Sequence, residues 1–354
     1  MKIGVFTKFE MSGGSEHRAI ELANSISRYT LHEPFLLVEH GQLKKELRSR
    51  VSDSGVVVVD DVMGSGDSDI FYNLDRLLVI NTDSNDFTTV GYWGGKTDRH
   101  SKCIDLCRVK SMTFLFNFIV SPARHLADVS KLCGDVSILT TNQRFFDEIT
   151  KKDKHSKIRQ LPRMILESPI NPDAVRTDKS ASAKIRIGKH SGSLGAKWNE
   201  EHRDLILRLN AKYDNISWDF MGAGGEFANS VQDIPNVVNR KGFSIPVSVY
   251  LCGIDIFLFY PRWSRQEPWS RSVAEALMSG CPVVATDIDG GNRMQVLHGN
   301  NGFLCSNLDE FEKYLSMLIE NDALRGRLSR NARVYSRFFT SEYIIKKLMT
   351  FWGI

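Results

Sequence analysis

The chain has 354 residues, which is too many for one ordinary hydrophobic core, so its length predicts two domains. Hydrophobic residues make up 42% of it and charged residues 25%, as in soluble globular proteins, and a formal net charge of only +4 gives no signal for nucleic acid or another polyanion. The six cysteines form no CxxC pair and suit neither a zinc site nor a disulfide framework, so we expect reduced thiols in a cytoplasmic protein.

No segment has the pattern of a membrane span or a secretory signal. The most apolar internal run, residues 112–120, is far too short to cross a bilayer. Residues 1–7 are apolar and followed by a glycine loop, which predicts a first strand rather than a signal peptide. We therefore expect a cytoplasmic protein whose contact with the inner face of a membrane is at most peripheral.

Short apolar runs alternate with helical patterns along the first half of the chain. The runs are rich in Val, Ile, Leu and Phe, which is typical of strands buried on both faces of a parallel sheet. The alternation predicts a doubly wound α/β domain over residues 1–167. The predicted strands are residues 2–6, 34–38, 56–59, 77–81, 114–120 and 137–139, and the predicted helices are residues 14–28, 42–51, 124–132 and 142–150.

A polar stretch with two prolines and no periodicity, residues 168–183, predicts the linker between two domains. A second α/β series over residues 184–338 predicts another domain of the same kind. Its predicted strands are residues 184–187, 217–221, 237–239, 254–259 and 283–286, and its predicted helices are residues 200–212, 247–252, 271–279, 308–320 and 322–335.

A last helical segment, within residues 339–354, is predicted to pack back on the first domain. Two doubly wound domains of this kind would face each other across a cleft. Because ligands of open α/β sheets prefer the carboxyl ends of the strands, we expect the site in that cleft.

A glycine loop follows the first predicted strand and opens the first predicted helix. Gly13 and Gly14 would let backbone N–H groups approach a phosphate in front of a helix N-terminus. The loop lacks the GxGxxG spacing of a dinucleotide fingerprint. An ordinary glycine turn capped by Ser15 is the simpler interpretation of this loop by itself.

A glycine-rich loop also follows the first strand of the second domain, and two lysines flank it. Lys189 and Lys197 are cations at a strand's carboxyl end, where they could neutralise a diphosphate. A solvated loop with surface lysines is the competing interpretation.

The most informative segment is Glu-Pro-Trp-Ser-Arg-Ser-Val-Ala-Glu at residues 267–275, which an apolar strand follows. Glu267 would lie in the loop before a helix that starts near Ser270, and Glu275 on the first turns of that helix. A helix N-terminus attracts phosphate, and carboxylates accept hydrogen bonds from sugar hydroxyls, so this layout suits a phosphorylated, polyhydroxylated ligand. A surface helix with scattered acids is the alternative.

Other catalytic signatures are missing from the sequence. It holds neither a GxSxG elbow nor an HExxH motif, and no DxD-type acidic cluster is placed at the expected cleft, so we predict no metal. His100, His125 and His190 lie near predicted loops, but a lone histidine is more often a structural or surface residue than a catalyst.

The chain resembles the retaining, nucleotide-sugar-dependent glycosyltransferases of family 4, which have the two-domain GT-B fold. Three segments carry the resemblance: the E-x7-E pair Glu267 and Glu275 with its continuation to residue 286, the G-x-x-G-F-L turn at residues 299–304, and the basic loop at residues 187–197. In the first domain only residues 13–16 and the strand order match.

The resemblance implies a role for each matched residue. Glu275 would bind the ribose hydroxyls of the nucleotide, and Glu267 would contact the hydroxyls of the donor sugar. The remaining implied donor-binding residues are Gly13, Gly14, Lys189 and Lys197 at the diphosphate, and Trp269, Ser270 and Arg271 at the donor phosphate or sugar. His100 is our choice for the family's first-domain histidine, with His125 as the second choice.

The chain departs from the family pattern at three of these positions. Pro268 and Ser270 replace glycines, and proline removes an N–H donor. Lys189 stands where an arginine is usual and loses bidentate geometry. These changes indicate a reshaped sugar pocket.

Together these patterns predict a metal-independent retaining glycosyltransferase without a cofactor. It would move a hexose from a UDP-sugar or GDP-sugar to a hydroxyl of a saccharide, a glycolipid or a lipid-linked acceptor. A nucleotide-sugar epimerase or hydrolase of the same fold, and a nucleotide-sugar-binding protein with a decayed active site, are the competing hypotheses.

Overall fold

The computed structural model describes residues 1–7, 14–38, 43–60, 74–80, 109–116, 135–152, 161–175, 178, 182–192, 197–261, 269–288 and 290–354. It divides into two compact units. The first unit contains Met1–Pro169 and Ser341–Ile354, and the second contains Ile170–Thr340.

The first unit is built on a seven-stranded parallel sheet with the order β3-β2-β1-β4-β5-β6-β7. Its strands are β1 (Lys2–Thr7), β2 (Glu33–Val38), β3 (Val57–Val59), β4 (Arg76–Ile80), β5 (Ser111–Phe116), β6 (Asp135–Thr140) and β7 (Arg163–Ile165). Its helices before β7 are α1 (Gly14–Tyr29), α2 (Lys45–Arg48) and α3 (Gln143–Lys152). Almost every residue of the central strands is buried, as the apolar runs predict for strands covered on both faces.

The second unit is built on a six-stranded parallel sheet with the order β10-β9-β8-β11-β12-β13. Its strands are β8 (Ile185–His190), β9 (Ile216–Met221), β10 (Val237–Arg240), β11 (Ile256–Phe259), β12 (Val283–Thr286) and β13 (Gly302–Cys305). Its helices are α4 (His202–Lys212), α5 (Gly225–Val231), α6 (Val247–Cys252), α7 (Arg271–Met278), α8 (Gly291–Gln295), α9 (Leu308–Glu320) and α10 (Asp322–Ser336).

These two parallel α/β sheets confirm the predicted fold class. Several elements differ from the prediction. The helix predicted over residues 42–51 is only the single turn α2, β5 begins three residues before residue 114, and β8 runs three residues past residue 187. Strands β7 and β13 and helices α5 and α8 are not among the predicted elements. The predicted helix 124–132 and the end of the predicted strand 114–120 lie outside the described residues.

The final helix α11 (Ser341–Trp352) completes the core of the first unit. Its residues Ile344 and Leu348 are fully buried beside apolar residues of α1 and the sheet. Trp352 donates from its indole Nε1 to Thr113 Oγ1 at 2.8 Å, and its carbonyl accepts from Arg76 at 3.0 Å. The Arg76 guanidinium also lies 5.4 Å from the centre of the Trp352 ring, a cation–π distance.

We predict that Trp352→Ala destabilises the first unit by about 3–5 kcal/mol, since it removes a buried aromatic ring and leaves a cavity. Urea unfolding followed by intrinsic fluorescence would measure the loss. The control is Ile354→Ala, because Ile354 is 42% exposed and should change the midpoint little. Equal midpoints for the two variants would show that α11 contributes little to this core.

Candidate active site

The site is built around the start of α7, where the sequence places the E-x7-E segment. Ser270 precedes the helix in extended conformation and caps it, because its Oγ accepts from the Val273 N–H at 3.4 Å. The helix ends at Met278, and Gly280 follows with a φ of +72°, which favours glycine. The helix start that the sequence predicts near Ser270 is therefore the start that the structure shows.

A side-chain amide from α8 holds this helix start in place. Gln295 is fully buried, and its Oε1 accepts from the Ser270 backbone N–H at 3.0 Å while its Nε2 donates to the Ser270 carbonyl at 2.8 Å. Behind it, Asn301 donates to the Gln295 carbonyl at 3.1 Å and accepts from the Leu297 N–H at 2.8 Å. The turn at residues 299–304 is thus connected to the α7 start by two buried amides.

Glu275 lies one turn into α7 with a side chain that is 13% exposed. Its Oε1 accepts from Arg271 Nε at 2.8 Å, an i,i+4 pair on one face of the helix. Its Oε2 lies 3.5 Å from His190 Nε2. The carboxylate is therefore held by Arg271, lies beside His190 without a hydrogen bond to it, and keeps some exposed surface for a ligand.

His190 ends β8 and is buried among aromatic rings, with Tyr250 and Phe257 in edge contact. Burial lowers the pKa of this imidazole; the Glu275 carboxylate raises it, and the charges of Arg271 and Lys197 lower it further. Neutral His190 is therefore the form at neutral pH. From the sequence, His190 is a lone histidine, because no motif connects residue 190 to residue 275.

Lys189, which the sequence predicts at the diphosphate, lies one residue before the end of β8. It is fully buried, and its Nζ donates to the Lys197 carbonyl at 2.5 Å and to the Tyr260 carbonyl at 3.0 Å. The ammonium also lies 4.6 Å from the centre of the Trp198 ring. In this structure these contacts hold the loop after β8, and the role of Lys189 at the diphosphate stays a prediction.

Two further predicted site residues, Lys197 and Trp269, lie within the described ranges. Lys197 is half-buried, and its charge acts on His190, as Arg271's does, so these cations approach the same imidazole. Trp269 is buried with its ring against Phe339 at a centroid distance of 5.7 Å. Its indole N–H finds no acceptor among the described residues.

Several predicted site residues cannot be placed. Glu267, His100, the alternative His125 and Gly13 all lie outside the described residues, and Gly14 is the first residue of α1. Within the described ranges, no group of three or more His, Cys, Asp or Glu side chains could hold a metal ion. Of the helices in those ranges, none is long and apolar enough to cross a membrane.

Comparison with known proteins identifies a family domain around this site. Residues 234–335 match the family Glycosyl transferases group 1. An uncharacterized glycosyltransferase of Haemophilus influenzae is 30% identical over 188 residues, or 50% of this chain and 52% of that protein. The chain thus matches about half the length of this curated relative.

Solved structures are similar over the whole chain. HepE from Anabaena, crystallised with UDP and glucose, is 15% identical with a TM-score of 0.72, covering 100% of this chain and 99% of that one. A glycosyltransferase from Rickettsia africae is 16% identical with a TM-score of 0.72, covering 99% and 97%. A sucrose-phosphate synthase from Thermosynechococcus elongatus is 10% identical with a TM-score of 0.68, covering 100% and 98%. The GT-B fold and the resemblance to the group 1 family are confirmed.

We predict that Gln295→Met loosens the start of α7, because the buried Ser270 N–H loses its acceptor, at about 1–3 kcal/mol, and the Ser270 carbonyl keeps only the Ala274 N–H. Hydrogen–deuterium exchange should become faster in peptides covering residues 269–278, and the thermal midpoint should fall. Gln143→Met is the matched control, since the Gln143 side chain is exposed and bonds only to Asp147. An unchanged rate of hydrogen–deuterium exchange at residues 269–278 would contradict the inference that Gln295 holds the start of α7 in place.

A second prediction concerns pH. Because the pKa of His190 lies below its usual 6.5 in the folded protein, the unfolded chain takes up this proton first on acidification. The stability from neutral His190 is present above about pH 6.5 and is lost as the pH falls towards the folded pKa. Urea unfolding of His190→Gln at about pH 7.5 and about pH 5 should show a smaller acid loss than the parent chain.

The loss of folding stability on acidification should be smaller in His190→Gln but still present, because burial also lowers the pKa of His202 well below its usual value. His202→Gln is therefore the positive control for the same measurement. An acid loss in His190→Gln as large as in the parent would mean that this imidazole is already solvated in the folded state.

Proposed function

We propose that this chain, which carries a glycosyl transferases group 1 domain on the GT-B fold, transfers a hexose from a UDP-sugar to a hydroxyl acceptor with retention of configuration. The observation that carries the proposal is the partly exposed Glu275 carboxylate beside the capped start of α7. Its position in the E-x7-E segment and its orientation by Arg271 suit a ligand with paired hydroxyls.

The choice of uridine as the base rests on similar structures. HepE from Anabaena was crystallised with UDP, with UDP and glucose, and with UDP-glucose. Because these structures are only 14–15% identical to this chain in sequence, their similarity shows the fold alone. UDP-glucose is therefore the first donor to test and not an assigned substrate.

The described residues offer positive potential for the leaving diphosphate. Lys197 is half-buried near His190, and the eight-residue helix α7 directs its N-terminal N–H groups towards the loop that holds Trp269 and Ser270. Preorganised donors of this kind stabilise developing negative charge by about 3 kcal/mol each. We assign Lys197 and the α7 start to the diphosphate, and Lys189 to holding the loop.

The reaction proposed is a same-face substitution at the anomeric carbon. The bond from that carbon to the diphosphate oxygen breaks, the acceptor oxygen forms the new bond, and the acceptor proton passes to the leaving phosphate. By the family resemblance, we assign Glu267 and His100 to the donor sugar, and Gly13 and Gly14 to the diphosphate. No step requires a metal.

The acceptor class stays open in this proposal: a saccharide, a glycolipid or a lipid-linked acceptor supplies the hydroxyl. A thermal-shift panel of UDP, UDP-glucose, GDP and GDP-mannose tests the donor, since a ligand at 100 times its Kd stabilises by about 2.7 kcal/mol. Release of UDP at full rate without an acceptor would favour an epimerase or hydrolase. Tight donor binding without transfer would favour a decayed site.

We predict that Glu275→Gln raises the KM for the UDP-sugar about ten- to a hundredfold, because hydrogen bonds to a charged group contribute about 1.5–3 kcal/mol. The matched control is Glu148→Gln, which removes the carboxylate of another i,i+4 arginine pair, with Arg144 Nε at 2.9 Å. Steady-state kinetics should separate the two variants. A KM for Glu275→Gln equal to that of the control would remove Glu275 from the donor site.

A further inference from the structure

One face of α10 carries a row of exposed arginines, which we call the arginine face: Arg327, Arg330, Arg333 and Arg337. Arg337 follows the helix directly with helical backbone angles, so it continues the row. At 100° per residue the four positions fall within an arc of about 120°, and from first to last they span about 15 Å.

The opposite face of α10 packs against the second unit. Leu328, Ala332 and Ser336 are buried, and Ser329 Oγ donates to the Gly280 carbonyl at 2.7 Å. Tyr335 donates from its hydroxyl to the Met294 carbonyl at 2.7 Å. These contacts fix the rotation of α10, so the arginine face points to solvent because of the packing behind it.

Three arginines of the arginine face, Arg327, Arg330 and Arg337, are not balanced by neighbouring acids among the described residues. Residues 323–341 contain five arginines and neither Asp nor Glu. The fifth, Arg325, pairs with Asp322 at 2.5 Å on another side of the helix. Arg327, Arg330 and Arg337 have no carboxylate within ion-pair distance in the described part of the chain. Since the whole chain carries a net charge of only +4, this is a local concentration of charge.

We propose that the arginine face docks on an anionic phospholipid surface. Guanidinium groups bind phosphate oxygens bidentately, and a straight row on a fixed helix can reach several headgroups lying in one plane. Lysines would supply charge but not this geometry. The inference goes beyond the proposed function and rests on the contacts of α10 alone.

An exposed valine in the row favours lipid over nucleic acid. Val334 is 62% exposed, and its direction on the helix falls between those of Arg327 and Arg330. An apolar side chain among cations suits the boundary between headgroups and acyl chains, where basic amphipathic helices bind. A nucleic-acid backbone offers that side chain no apolar partner.

The test is co-sedimentation of the full chain with vesicles of phosphatidylglycerol and phosphatidylcholine, compared with phosphatidylcholine alone. We expect binding to the anionic vesicles only, and about a hundredfold weaker partitioning for Arg327→Gln/Arg330→Gln/Arg337→Gln, because each arginine near an anionic surface contributes a several-fold factor. Arg333 is left in place because its guanidinium packs against Gly280.

Three control proteins make the result specific. Arg203→Gln/Lys241→Gln/Lys313→Gln removes the same charge from exposed positions elsewhere in the second unit and should bind like the parent. Arg327→Lys/Arg330→Lys/Arg337→Lys keeps the charge but loses the bidentate geometry, so it should bind more weakly than the parent and more tightly than the glutamine variant. Thermal melting should match for all variants. Val334→Ser should weaken binding several-fold.

Two outcomes would overturn the proposal. The first is equal vesicle binding by the arginine-to-glutamine variant and the charge-matched control. The second is salt-sensitive binding to duplex DNA with no binding to vesicles and no effect of Val334→Ser, which would assign the face to nucleic acid instead.

Discussion

The site depends on one pair of hydrogen bonds, which the side-chain amide of Gln295 makes with the backbone N–H and the backbone carbonyl of Ser270. Ser270 precedes α7, and its N–H and carbonyl are buried, where an unmade hydrogen bond is costly. Asn301 in turn holds the backbone of Gln295. The E-x7-E segment and the glycine turn are therefore connected through buried hydrogen bonds, and the position of Glu275 follows from them.

The charges of the site are arranged around a neutral imidazole. Glu275 is held by Arg271 on its own helix and lies beside His190 on a different element, the end of β8. Burial and the nearby cations lower the pKa of His190, so at neutral pH it lies beside the carboxylate without neutralising it. The carboxylate stays available as an acceptor, while the positive groups remain on the side of Lys197 and the α7 start.

Most of the second unit followed from its sequence, because its strands are unbroken apolar runs and its helices have clear boundaries. Strand β12 and helix α9 have the predicted bounds to the residue. The burial of Lys189 is not predictable from the sequence, because β8 extends past the predicted strand end at residue 187. Since β8 runs on to His190, residue 189 points into the domain, where its ammonium bonds two carbonyls. Neither this nor the approach of His190 to Glu275 is encoded in local spacing. The net charge of the whole chain does not predict the arginine face either, because a total charge does not say where along the chain the charges lie.

The return of α11 to the first unit has a consequence for synthesis on the ribosome. The core of that unit includes Ile344, Leu348 and Trp352, which are translated after every residue of the second unit. Residues 170–340 therefore have all their own core partners before the first unit does. The sheet of the first unit is translated earlier, but part of its apolar surface stays uncovered until α11 has been made. We expect the usual N-terminal-first order of folding to be reversed here, and nascent chains shorter than about 340 residues to depend on chaperones.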